Sequence, residues 1–395
     1  MLAELAEIVV GDAHEPNDAL GAERWASCLL GALNVGRIID AGIRERFRAD
    51  LVPAVEALGS AEALATLRAL SGVGVSTERE RARAAADRLA ACGVREPVWA
   101  SGVGAGRPVA AALQYEEAFD DGVSVIVEFD GHGEEPYTLG IYIDHNVGGL
   151  VKDVFLAGPL SDVRAKLSVR APNGVQLAVR DLELAEARAR IVAALDVLDH
   201  TYDPPVDEDV SRLRALIEAR VNLLPAGFEF GDEYEDIPQA DRERMLEAFL
   251  ASMPGKRWVG DEHAEDVVAT AIDFGADYNY GGPLRWSPVV VEIFMTWVVR
   301  MVIHEPAFFA RVPDVLVDWV AYAGGLRDVP SAALNEAIEA VAAYRDDMLD
   351  AVSDPDAWGP AKAFAVAAHS AGVDLSDSAA LDEFVEQYNG QLQAG

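Results

Sequence analysis

The feature that most restricts the fold is a change in the spacing of apolar residues near position 123. Residues 123–129 (VSVIVEF) and 137–144 (YTLGIYID) are rich in β-branched and aromatic residues, which is typical of β-strands. The polar segment between them, DGHGEEP, contains two glycines and a proline and predicts a chain reversal. These segments therefore predict a β-hairpin over residues 123–144.

The hairpin predicts a small sheet in an otherwise helical chain. Residues 150–156 and 175–180 continue the strand pattern, and residues 182–198 return to helical spacing. Alternation along the strands predicts a buried face that contains Ile126 and Ile141. We expect an α+β fold, mostly helical, with a helical N-terminal region, a small central sheet built on the hairpin and a helical C-terminal half.

Glycine-rich and acidic segments divide the chain into three predicted regions. The first is a helical region over residues 1–100, and the second is a small α+β domain over residues 107–200. The glycine-dense segment SGVGAGRP between them reads as a linker. The third is an acidic helical domain over residues 205–395.

One helix of the first region has clear end signals. Thr77 and Glu80 match a capping box, which predicts a helix over residues 78–92. Gly93 follows at the position where a helix commonly ends in the left-handed conformation.

The charge of the chain excludes several kinds of partner. It carries 67 acidic and 32 basic residues, a formal net charge of -35, while 51% of its residues are hydrophobic. That apolar content provides for packed cores and excludes a disordered acidic chain. Direct binding of nucleic acid is not expected, because phosphate binding needs clustered lysine and arginine. Docking on an anionic membrane surface is not expected for the same reason.

Membrane insertion and secretion are not expected either. The most apolar stretch, residues 286–303, is interrupted by Glu292 and Arg300, and Pro288 near its start suits a first helical turn. It predicts a buried amphipathic helix. The first 16 residues lack the basic flank of a secretory signal. The bias towards alanine and arginine is typical of a high-GC bacterial genome, so we expect a cytoplasmic bacterial protein.

The segment IDHNVGGLVKD, residues 143–153, is the first candidate site. It contains Asp144, His145, Lys152 and Asp153, in a chain with only four lysines. Asp144 and His145 have the chemistry for acid–base work or metal binding, and Lys152 offers a compact charge or a titratable amine. The alternative is structural, because Asp-His-Asn-Val-Gly-Gly is also good turn chemistry between two strands.

The segment DYNYGGPLRW, residues 277–286, is the second candidate. Tyr278, Tyr280, Arg285 and Trp286 flank a glycine pair and are of the types enriched at protein interfaces. This pattern predicts a binding surface for another protein. The alternative is a packed connection between two helices.

Motifs for known catalytic and cofactor sites are absent from the sequence. There is no HExxH, no GxxxxGK[ST] and no GxSxG, and the seven histidines are scattered. The two cysteines, Cys28 and Cys92, make neither a disulfide framework nor a cysteine-rich zinc site. We expect no metal and no cofactor.

Three functions fit these observations. The first hypothesis is a non-enzymatic interaction or regulatory protein that binds another protein through its central sheet and acidic helical half. The alternative is a hydrolase or transferase with its site at Asp144, His145, Lys152 and Asp153. The third is an acidic mimic of nucleic acid that occupies a basic partner, which requires carboxylates arrayed along one face.

Overall fold

The computed structural model describes most of the chain. The described residues are 6–7, 9–10, 16–32, 41–131, 133–167, 174–230, 236–373, 384–385 and 387–388, with backbone alone at 41–49 and 134. Within them the fold is α+β and mostly helical, as predicted, with thirteen α-helices and one five-stranded antiparallel sheet. The sequence also predicts a helix over residues 379–388, of which only 384–385 and 387–388 are among the described residues.

The five strands are grouped in the middle of the chain, and most of the helices lie before or after them. The strands are β1 (Pro108–Glu116), β2 (Gly122–Gly131), β3 (Glu134–Asp144), β4 (Leu150–Ala157) and β5 (Leu177–Leu182). The helices before and among them are α1 (Ala19–Ala32), α2 (Ala41–Leu58), α3 (Ala61–Leu70), α4 (Ser76–Ala91) and α5 (Leu160–Leu167). The helices after them are α6 (Leu184–His200), α7 (Glu208–Val221), α8 (Gln239–Ala251), α9 (Glu262–Asp277), α10 (Pro288–Met301), α11 (Pro306–Leu326), α12 (Ser331–Ala351) and α13 (Pro360–Ser370).

The chain forms two compact units, which differ from the three predicted regions. Unit 1 contains Met1–Glu116, Gly122–Arg170 and Gln176–Glu233, and unit 2 contains the remainder, Glu117–Asp121, Ala171–Val175 and Tyr234–Gly395. The N-terminal helices and the sheet belong to one unit because they share one hydrophobic core. A small sheet cannot bury both faces by itself, so neighbouring helices supply its cover.

The sheet of unit 1 has the strand order β4-β3-β2-β1-β5. The predicted hairpin is present, with Val125 opposite Ile141 and Ile126 opposite Gly140. Ile126 and Ile141 are both fully buried but lie on opposite faces, which corrects the prediction of one shared face. Helix α5 covers the face of Ile126, and Gly140 leaves the space that the ring of Phe155 occupies.

Two local predictions in this unit need correction. Helix α4 begins at Ser76, so Thr77 lies inside the helix and the residue before its first turn, Val75, makes no side-chain cap. Gly93 does take the left-handed conformation, with φ of 87°. The predicted linker runs directly into β1, because Pro108 begins the strand that pairs with both β2 and β5.

The core of unit 2 is built on aromatic and aliphatic side chains of α8 to α12. The apolar stretch of residues 286–303 forms α10, where Ser287 accepts a hydrogen bond from the Val290 amide at 3.2 Å and Pro288 occupies the first turn. Phe294 on this helix is fully buried. Of the helices among the described residues, none is both long and apolar enough to cross a membrane.

Candidate functional site

The segment 143–153 joins β3 to β4 through a short 3-10 turn at His145–Val147. The carboxylate of Asp144 accepts a hydrogen bond from the Asn146 amide at 2.8 Å and therefore caps this turn. Gly148 and Gly149 both take positive φ, about 80°, which glycine adopts without steric cost. Asp144 and the glycine pair therefore have a structural role in the turn between β3 and β4.

Lys152 forms an ion pair with Asp144, and the two side chains differ sharply in exposure. The carboxylate side chain is 3% exposed and the lysine side chain 42% exposed. The pair depends on a β-bulge: Ile143 is opposite Val151 and Tyr142 is opposite Asp153, so Lys152 is the extra residue of β4. Bulges redirect a side chain out of the regular alternation.

The four candidate residues do not converge on one site. Asp153 is exposed and accepts a hydrogen bond from the Val154 amide at 2.7 Å. His145 is buried, 5% exposed, in the 3-10 turn. The structure therefore brings together Asp144 and Lys152 as an ion pair, with the carboxylate committed to two partners, and it directs Asp153 elsewhere.

The second candidate, residues 277–286, contains a buried arginine. Arg285 is fully buried, and its guanidinium donates to Asp121 at 2.8 Å and to the side-chain oxygen of Asn279 at 2.6 Å. It also donates to the backbone carbonyls of Tyr280 and Phe119. Burial lowers the pKa of this guanidinium from its ordinary value. Arg285 therefore holds the 117–121 segment and the glycine loop together within unit 2.

Trp286 of this segment also packs inward, so the predicted binding surface is not exposed as a whole. Trp286 is 3% exposed and lies 5.3 Å, ring to ring, from Phe294. Tyr278 keeps 61% exposure and Tyr280 is half-buried. Since Arg285 and Trp286 are both buried, these four residues do not form one exposed patch, and the packed connection is what the structure contains.

Metal chemistry finds no support in the described part of the chain. No group of three or more histidine, cysteine, aspartate or glutamate side chains there is placed to hold a metal ion.

A cleft that the sequence reading missed lies between α10 and α12 in unit 2. It has a volume of about 200 Å³, and Ala357 of the turn at Pro355–Ala357 is among the residues that line it. Its floor is apolar and is formed by Met295, Val299, Met348, Ala351 and Ala357. Methionine side chains adapt their shape and are common at binding surfaces that accept varied partners.

One carboxylate, that of Asp347, lines this cleft, and the helix that carries it is acidic. Helix α12 exposes five carboxylates along its length: Glu336, Glu339, Asp346, Asp347 and Asp350. The one basic residue of α12, Arg345, pairs with Asp314 at 2.7 Å. Asp346 interacts electrostatically with the same arginine. Among the described residues, Asp347 and Asp350 have no lysine or arginine at ion-pair distance and are therefore uncompensated charges.

Tyr344, which also lines the cleft, lies beside another carboxylate. A hydrogen bond with Glu292 raises the pKa of Tyr344 above its ordinary value, so the phenol stays neutral. Asp354 and Asp356 are exposed in the neighbouring turn, and Arg300 is the one basic residue that lines the cleft.

The signal for this cleft was present in the sequence but incomplete. The apolar stripe of α12 and the acids between its members predict an amphipathic helix, and nothing in the spacing predicts that α10 leaves a gap beside it. Comparisons with protein families, with curated proteins and with solved structures each found no match.

Proposed function

We propose that the chain is a non-enzymatic interaction protein that binds another protein, and that the partner contributes a cationic segment with one apolar anchor residue. The observation that carries this proposal is the methionine-lined cleft between α10 and α12, which Asp347 lines and beside which Asp350 lies one turn further along α12.

Charge and shape support the same occupant. Uncompensated carboxylates attract a basic segment and raise its rate of association, and they disfavour acidic competitors. The cleft of about 200 Å³ has room for one large aliphatic or aromatic side chain. Burying such a side chain contributes roughly 1.5–3 kcal/mol, which is the part of the affinity that added salt does not remove.

The two alternatives have weaker support. An enzyme at residues 143–153 would need a reactive carboxylate, and Asp144 already caps a turn and pairs with Lys152. A nucleic-acid mimic would need carboxylates in a continuous array. The cleft is lined mainly by apolar side chains with one carboxylate, Asp347, which suits an apolar anchor residue better than it suits a protein surface that binds phosphates.

A pair of synthetic peptides tests the proposal. One forms a lysine-rich amphipathic helix with a central leucine, and the other has serine in place of that leucine. Fluorescence anisotropy at about 150 mM NaCl should show tighter binding of the leucine peptide by about tenfold. Thr296→Trp, at the exposed rim, should remove that preference by covering the cleft.

A matched pair of double variants separates the cleft from the overall charge. Asp347→Asn with Asp350→Asn should weaken binding by about fivefold, a loss of about 1 kcal/mol. Glu243→Gln with Glu247→Gln removes the same charge from α8 and should change binding by less than about twofold. Equal losses in the two double variants, or equal affinity for the two peptides, would contradict the proposal.

A further inference from the structure

Unit 1 contains a larger cavity, formed where α1, α2, α3 and α4 meet. Its volume is about 460 Å³, which lies within the usual range of about 300–1,000 Å³ for small-molecule sites. The walls are aliphatic and include Leu30, Leu51, Leu70 and Val73, with no aromatic side chain among the lining residues. Water gains few hydrogen bonds in such a space.

The polar groups of the cavity come from a single helix. Thr77, Glu78 and Arg81 of α4 line it, and Thr77 and Arg81 are exposed. Glu78 already interacts within the chain. Arg81, in contrast, has no aspartate or glutamate at ion-pair distance among the described residues, although acidic residues outnumber basic ones by 67 to 32.

Four arginines lie on α4, and Arg81 is the one that lines the cavity. Arg88 pairs with Glu56, while Arg79 and Arg83, like Arg81, have no carboxylate at ion-pair distance among the described residues. An arginine without a carboxylate partner beside an aliphatic cavity suits a ligand that has both an aliphatic chain and a carboxylate. A guanidinium suits a carboxylate because its planar donors bind both oxygens.

We propose that this cavity binds an aliphatic monocarboxylate, a chain of medium length whose hydrocarbon tail lies among Leu30, Leu51 and Leu70 and whose carboxylate pairs with Arg81. The inference does not rest on the proposed protein partner, since the cavity lies in unit 1 and the acidic cleft lies in unit 2.

Calorimetric titration of the full chain with hexanoate, octanoate and decanoate, each below its micelle concentration, tests the tail. Affinity should rise about fourfold with each added methylene until the cavity is filled, since each buried methylene contributes about 0.8 kcal/mol. Octanol provides the same tail without the charge and should bind at least about tenfold more weakly than octanoate.

Three variants test the location. Arg81→Gln should weaken octanoate about tenfold and leave octanol unchanged, while Arg83→Gln removes an equal charge from an exposed position of α4 that does not line the cavity and should leave both unchanged. Ala82→Leu projects into the cavity and should weaken both ligands, with thermal unfolding of the free protein as the control for folding. Equal losses from Arg81→Gln and Arg83→Gln, unaltered binding in Ala82→Leu, or no saturable heat with octanoate would each overturn the proposal.

Discussion

Two buried cationic side chains, Arg220 and Lys362, are hydrogen-bonded to groups that are distant in sequence. Arg220 is 2% exposed, pairs with buried Glu23 and donates to the Tyr137 hydroxyl at 2.6 Å. Burial raises the pKa of that hydroxyl, so it stays protonated. Lys362 has no carboxylate at ion-pair distance among the described residues and instead donates to the Val299 carbonyl at 2.7 Å, and burial lowers its pKa. Removing one member of such a contact leaves the other desolvated and unpaired.

The ion pair between Lys152 and Asp144 allows the cost of removing one partner to be measured. Lys152→Met should lower the free energy of unfolding by about 1–2 kcal/mol, because the carboxylate is buried and loses its cation while the apolar stem of the lysine is retained. The loss stays below that for a fully buried pair, since the lysine side chain is 42% exposed. Urea denaturation measures it, and Lys166→Met on α5, at an exposed position, should change stability by less than about 0.5 kcal/mol. Equal effects of the two variants would show that the ion pair contributes nothing.

At the scale of elements, the strands predicted correctly are those whose own residues show a local periodic pattern. The hairpin and β4 were predicted within a few residues because β-branched alternation is a local signal. Strand β1 was missed because its sequence, PVAAALQYE, is alanine-rich and its strand conformation depends on pairing with both neighbours.

The candidate sites were less predictable, since exposure and pairing are tertiary properties. Arginine and tryptophan occur both at interfaces and in packed connections, and the burial of Arg285 and Trp286 follows from contacts with Phe119 and Phe294. The bulge that turns Lys152 towards Asp144 has no signature in the residues around it. The second face of the sheet was missed because helix α5, which covers it, is only eight residues long.

Helices α8 and α9 are joined by an ion-pair network whose pH dependence has a definite sign. Arg242 on α8 donates to Asp273 at 2.9 Å and to Asp277 at 3.0 Å on α9. These hydrogen bonds lower the pKa of Asp277 from its ordinary 3.8. A carboxyl whose folded-state pKa is depressed contributes stability above its unfolded pKa, and that contribution disappears as the pH falls through the folded-state value.

Arg242→Gln should therefore destabilise the protein at pH 7 by no more than about 1 kcal/mol, because the carboxylates are half exposed and screened. The difference from the parent protein should stay constant down to about pH 5 and vanish at lower pH. Guanidinium denaturation across this range measures it. Arg244→Gln, which removes the same charge from α8 but only its pair with Asp241 on the same helix, should show a smaller difference. A difference that grows as the pH falls would contradict this assignment.

At the scale of the whole molecule, ion pairing cannot balance the charge. If each of the 32 basic residues paired with one acid, the net charge of -35 would still stand as carboxylates without a partner. Exposed pairs contribute between about 0 and 1 kcal/mol each, and salt weakens them. Salt also weakens the repulsion among the unpaired carboxylates, which opposes the compact state. Added salt therefore destabilises the folded state by weakening ion pairs and stabilises it by weakening repulsion. Because acidic residues are in excess, we expect the stabilising effect to be the larger.

The melting temperature should therefore rise as NaCl increases from about 10 mM to about 500 mM, with most of the rise complete by about 100 mM, because the screening length falls from about 30 Å to about 10 Å over that first interval. Choline chloride should reproduce the rise, since a cation too large to coordinate carboxylates still screens them. The Asp347→Asn and Asp350→Asn double variant should show a smaller rise, because it removes two of the uncompensated charges on α12. A melting temperature that is flat or falls with salt would mean that ion pairs outweigh repulsion despite the excess of acids. A rise with sodium and none with choline would instead indicate that bound cations, and not screening, stabilise the folded chain.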